Sequence, residues 1–184
     1  MRCTRSPFSG GFRCCALLHG PGERGRYTAT ERMNSKQERF ANKVAANVKE
    51  HGFHITCVGR GKSAAYCYTT GVHETFGIPE LIISSLPSGL CSQFMNSYIE
   101  RFSVGLPQLG VLVHKESEPF DFYLIPADTQ VLKDHVLATM RYYDDKPFEY
   151  LQLIYPDTAM KFPHEEGYNY DQEILGDYRT INAV

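Results

Sequence analysis

Two segments carry most of the residues that could do chemistry. The first is Tyr68-Thr69-Thr70-Gly71-Val72-His73-Glu74, continued by Gly77-Ile78-Pro79-Glu80-Leu81. The second is Leu151-Gln152-Leu153-Ile154-Tyr155-Pro156-Asp157, continued by Phe162-Pro163-His164-Glu165-Glu166. Each is a strand-like run that stops at Gly or Pro and delivers acids, a histidine and hydroxyls just past the stop. Rigid strand ends often hold the loops that carry functional groups. Tyr68, Thr70, His73, Glu80, Asp157 and His164 are therefore the candidate ligand-binding residues. His73, Asp157 and His164 are also candidate metal ligands, since two imidazoles and a carboxylate suit zinc or iron. Glu80 or Glu165 would then be the general base of a metal-assisted hydrolase. No HxxxH or HExxH unit draws the two segments together. Glu80 has a structural reading beside the functional one. Opening a strand after Pro79, it would tie down a loop by accepting backbone N–H bonds.

Other motifs are incomplete. Gly59-Arg60-Gly61-Lys62-Ser63 has the end of a phosphate loop, but Thr56 stands where the first glycine is needed, and the residues after it read as strand rather than helix. A basic hairpin turn is the better reading, with Arg60 and Lys62 free to meet an anion. No GxSxG elbow occurs, and neither Cys67 nor Cys91 sits in a nucleophile signature. With no complete catalytic set, no cofactor is assigned.

The elements that must position these groups are legible in outline. Ser35-Lys36-Gln37-Glu38 reads as a capping box. Phe40, Val44 and Val48 follow at four-residue spacing, and Gly52 suits the stop. Residues 53–58, 65–70 and 81–85 read as strands. A second helix is expected over Ser88–Phe102, with Leu90, Phe94, Tyr98 and Phe102 on one face. Residues 110–114 and 120–125 suggest a hairpin. Asp128 or Thr129 would cap a third helix carrying Leu132, Val136 and Met140. A further strand spans 148–155, and the last residues suggest a short helix and a tail. Strands follow one another without strict strand–helix alternation. That pattern implies a single α+β domain, with a mixed or mainly antiparallel sheet and helices packed on one face.

Composition narrows the function classes. The chain has 184 residues, 42% hydrophobic and 22% charged, enough for one globular domain. A net charge of −2 gives no electrostatic footprint for nucleic acid. No apolar run approaches bilayer length. The charge is uneven: residues 1–34 hold six Arg against Glu23 and Glu31, a net +4, leaving −6 for the remainder. Residues 1–34 are expected to be a disordered extension, with Met33 as an alternative start, and 35–184 to form the domain. Cys57, Cys67 and Cys91 lack CxxC spacing and are expected to be reduced, mostly buried thiols of a cytoplasmic protein.

The two polar segments also resemble a bacterial family known only as domain of unknown function 4262. The matching motifs are Gly52-Phe53, Tyr68-Thr69-Thr70-Gly71-Val72, Pro79-Glu80-Leu81, Leu151-Gln152-Leu153-Ile154-Tyr155-Pro156-Asp157 and Phe162-Pro163-His164-Glu165. They occur in the family's order over about residues 36–170. Tyr155 and His164 stand where the family commonly has Trp, and Val72 replaces Leu. If those aromatic positions line a pocket, His164 makes it more polar. The resemblance implies a soluble bacterial or phage-related protein and brings no activity with it. The leading expectation is a small cytoplasmic binding or regulatory module, in a regulatory or defence-linked role, whose partner is a small molecule or a protein. The alternatives are the metal-assisted hydrolase and a structural, immunity-type interaction protein in which the same residues only brace loops.

Overall fold

The computed structural model describes residues 29–60, 63–114, 118–144 and 146–183. The first helix, α1 (Ala29–His51), runs through Met33 and Ser35, so Ser35 does not cap it. Val44 and Val48 are the buried positions of its inner face, whereas Phe40 is 41% exposed. Gly52 ends the helix as expected: at φ +86° its N–H returns to the Val48 carbonyl at 2.8 Å. Most of the expected N-terminal extension lies outside the described residues.

Five strands follow. β1 (His54–Arg60) and β2 (Ser63–Thr70) form an antiparallel hairpin, and β3 (Glu80–Ser84) lies antiparallel to β2. The hairpin's turn, with Gly61 and Lys62, lies outside the described residues. The sheet is completed by β4 (Tyr123–Ala127) and β5 (Tyr150–Ile154), in the order β1-β2-β3-β5-β4. β5 inserts between β3 and β4, parallel to the first and antiparallel to the second. The sheet is therefore mixed and the domain is α+β.

The helices correct one expectation: they cover both faces of the sheet. α3 (Ser88–Phe102) forms over the residues its spacing predicts. It buries Cys91, Phe94, Met95, Tyr98, Ile99 and Phe102 in one core with Cys67, Leu81, Ile83, Leu124, Leu151 and Leu153. Successive strand residues point to opposite sides. Tyr68, Ile82 and Tyr150 therefore face the other way. There they pack with Leu132 of α4 (Thr129–Leu132) and with Val136 and Met140, around the start of α5 (Leu137–Tyr143). The rest of that face holds Ile125 and Ile154 under Phe162, Tyr178 and Ile181 of the C-terminal segment. A sheet with two apolar faces needs cover on both.

Two smaller expectations also change. The single helix after Asp128 is two, because α4 stops at Leu132 and α5 starts only at Leu137; Asp128 does cap α4, accepting from Gln130 N–H at 2.7 Å. The expected strand at 110–114 is reduced to one bridge, Val113 to Phe122.

Candidate functional site

The first polar segment closes on a buried carboxylate. Glu80 is fully buried at the start of β3. Its Oε1 accepts the Gly71 N–H at 2.8 Å, the His73 N–H at 3.1 Å and the Tyr143 hydroxyl at 2.6 Å. Its Oε2 accepts the Thr69 hydroxyl at 2.5 Å. The two backbone donors belong to the turn into α2 (Val72–Phe76), whose first N–H groups have no partner in their own helix. Burial pushes the Glu80 pKa upward, opposed by the bonds from Thr69, Tyr143, His73 and Gly71. The carboxylate thus acts as a loop clamp.

The other hydroxyls of this segment are also spoken for. Thr70 and Thr139 share a hydrogen bond of 2.7 Å, and Tyr150 donates to the Thr69 carbonyl at 2.8 Å. The Tyr68 hydroxyl accepts the Ala138 N–H at 3.3 Å, at the start of α5. Tyr68 and Thr70 are buried.

The second polar segment repeats this construction. Gln152, in the middle of β5 and fully buried, accepts the N–H groups of Leu175 and Gly176 at 2.6 and 2.8 Å. Its amide donates to the Glu173 carbonyl at 2.6 Å. It thereby pins the C-terminal segment across the sheet. Asp157 accepts the N–H groups of Ala159, Lys161 and Asn169 at 2.8, 3.0 and 3.1 Å. Burial works to raise its pKa, but the Lys161, Ala159 and Asn169 N–H bonds and the Lys161 charge outweigh this and leave it lowered.

These positions correct the single-pocket expectation. β3 and β5 run parallel, with Glu80 beside Tyr150 at their N-terminal ends. Tyr68, Thr70, His73 and Glu80 belong to the β2–β3 turn side, whereas Asp157 and His164 lie beyond the C-terminal end of β5. A five-residue strand separates the groups by roughly 16 Å. His73 therefore cannot share a metal with Asp157 and His164, and no group of three potential ligands clusters among the described residues. Glu80 is enclosed and cannot reach a substrate water from where it sits. Glu165 accepts the Phe162 N–H at 2.6 Å. His164 is exposed, bonded through Nδ1 to the Tyr178 hydroxyl at 2.8 Å and stacked beside Phe162.

The cysteines also differ from expectation. Cys57 and Cys67 face each other across the β1–β2 hairpin and form a disulfide; Cys91 is free and buried, its thiol pushed up to about 12 by burial.

Among the described residues a cleft opens at each end of the parallel pair. Beside His73 is a groove of about 620 Å³ between Pro79, Leu106, Leu109, Asp128 and Phe148. The larger cleft, about 960 Å³, opens where β3 and β5 end. Its walls come from Leu86, Leu90, Phe120 and Met160, from the motif residues Tyr155-Pro156-Asp157, and from Tyr170, Asp171 and Glu173. Among the described residues, three carboxylates and three aromatic rings line it, and no Lys, Arg or His does. The nearby Lys161 ammonium is held away on the Glu166 carbonyl at 2.6 Å. Of the six candidate ligand-binding residues, Asp157 alone lines this cleft. By its spacing Leu90 is helix core, and Tyr168 to Val184 is a polar, aromatic segment of weak periodicity that suggests a short helix and a tail; the pair Tyr168 and Tyr170 followed by Asp171 and Glu173 is the available signal.

No curated protein and no solved structure matches the chain. A family profile described as a domain of unknown function (DUF4262) matches residues 47–169, which include both clamp segments and most of the larger cleft. The chain belongs to the DUF4262 family.

Proposed function

We propose that this protein is a non-enzymatic binding module whose ligand enters the cleft at the C-terminal ends of β3 and β5. The observation that carries this reading is the cleft's lining. Its aromatic and aliphatic walls hold three carboxylates and, among the described residues, no basic side chain, so it suits a small molecule with an apolar body and a cationic amine or guanidinium. Asp157 shapes one wall through its three backbone bonds. Asp171 and Glu173 are exposed and line the cleft, so they would meet the cationic group. The bacterial, cytoplasmic and regulatory or defence-linked setting that the family resemblance implies forms part of this proposal.

The test is a thermal-shift and amide-NMR screen of the full chain with alkyl- and aryl-ammonium compounds beside matched carboxylates. Stabilisation by the amines alone, with shifts around Phe120 and Tyr170, supports the reading. It should disappear in an Asp171→Asn, Glu173→Gln double variant. Shifts confined to the His73 groove, or no preference between the two charge classes, would overturn it.

A further inference from the structure

We propose that the Cys57–Cys67 pair is a reversible thiol-exchange site, with Cys57 as the position that takes up a low-molecular-weight thiol. This is independent of the cleft and rests on the unequal placement of the two sulfurs. β1 is an edge strand, and Cys57 on it is exposed. Cys67, directly opposite, is fully buried in the core under α3. Thiol–disulfide exchange requires a thiolate to reach one sulfur in line with the bond it breaks. With Cys67 fully buried and Cys57 exposed, such an approach is to the Cys57 side of the bond.

The steps follow from that asymmetry. A monothiol of the glutathione class, as its thiolate, attacks the Cys57 sulfur. A bond forms between the incoming sulfur and Cys57, the Cys57–Cys67 bond breaks, and its electron pair passes to Cys67. The core around Cys67 disfavours a thiolate, so Cys67 takes up a proton. A second thiolate then attacks the external sulfur of the mixed disulfide. It releases the oxidised small-molecule disulfide and leaves Cys57 as a thiol. Two small thiols are oxidised and one protein disulfide is reduced. In the reverse direction Cys67 serves as the resolving thiol, expelling the small thiol from Cys57. Cys91 takes no part, since its sulfur is buried against the Leu86 carbonyl at 3.5 Å.

The experiment equilibrates the folded full chain across a series of reduced-to-oxidised glutathione ratios. It then quenches with acid, alkylates differentially and maps each cysteine by mass spectrometry. The expected result is that Cys57 and Cys67 change state together within the series, and that any glutathione adduct between them sits on Cys57. After full reduction, Cys57 should alkylate at least about 10-fold faster than Cys67 in the folded protein. A Cys67→Ser variant should accumulate the Cys57 adduct stably. A disulfide that yields only after denaturation, an adduct on Cys67, or both residues remaining thiols in the most oxidising buffer would each overturn the proposal. The first measurement uses the unmodified sequence, so it stands even if the variant fails to fold.

Discussion

The Tyr143 hydroxyl donates to Glu80 Oε1 at 2.6 Å, joining the last turn of α5 to the first residue of β3 inside the protein. The same oxygen holds the Gly71 and His73 N–H groups. One carboxylate therefore fixes a helix end, a strand start and a turn. Glu80→Ala would leave these buried donors without a partner and should cost about 3–5 kcal/mol in chemical denaturation. Glu80→Gln should cost less. The sign of the pH dependence follows from the raised pKa. A carboxyl held above its ordinary value contributes its full stability below that value and loses it as pH rises through the folded-state value. The stability difference between wild type and Glu80→Gln should therefore shrink as pH rises from acid. A difference that grows with pH would mean that the four donors outweigh burial.

Gly71 shows a second kind of constraint in the same turn. Its φ is +97°, and a Cβ there would stand 2.5 Å from Val48 Cγ1 of α1. Gly71→Ala should destabilise by about 2–4 kcal/mol, combining left-handed backbone strain with overpacking. Gly77, at φ +69° with open space around it, is the control. Gly77→Ala should cost only about 1 kcal/mol. Equal losses in thermal or urea unfolding would contradict the packing argument.

Gln152→Leu keeps the size of a buried β5 side chain and removes its amide. The Leu175 and Gly176 N–H groups and the Glu173 carbonyl would lose their partner. A loss of about 2–4 kcal/mol is expected. Hydrogen exchange should quicken first at Leu175 and Gly176, ahead of the α3 core. Uniform acceleration across the chain would argue against a local clamp.

Asp157 should behave oppositely to Glu80 in pH. Its pKa is lowered in the fold, so its contribution is present above the ordinary carboxylate range and disappears as pH falls through the folded-state value. Asp157→Asn should lower the melting temperature at neutral pH and converge with wild type in acid. His164→Ala, changing an exposed ring, should leave stability within about 0.5 kcal/mol.

The fold was largely legible because its signals are local. Leu90, Phe94, Tyr98 and Phe102 share a helical face, and that periodicity alone locates α3. The site was not legible, because its geometry depends on which strands become neighbours. Nothing near Glu80 or Tyr150 states that β5 will lie parallel to β3, yet that pairing sends Asp157 to the far end from His73. The disulfide was hidden for a related reason. The pairing of Arg60 with Ser63 and Gly59 with Ala64, continued without a break, would place Cys57 opposite Tyr66. The irregularity after Val58 shifts the register by one, so that Cys57 meets Cys67. The polar motif residues have the look of chemistry, but Glu80, Gln152 and Asp157 all accept backbone N–H bonds. A carboxylate or amide needed to hold a loop has the same sequence appearance as one poised to react.

The insertion of β5 between β3 and β4 has a consequence for synthesis. When the chain has emerged only as far as α5, the outer edge of β3 has no neighbour, and β4 has nothing to pair with either. Leu81, Ile82 and Ile83 then form an unpaired apolar edge, the kind that invites association with another nascent chain. That exposure ends only when residues 150–154 leave the ribosome. Pausing within the preceding stretch would lengthen it, and a chain terminated there would be a ready nucleus for aggregation.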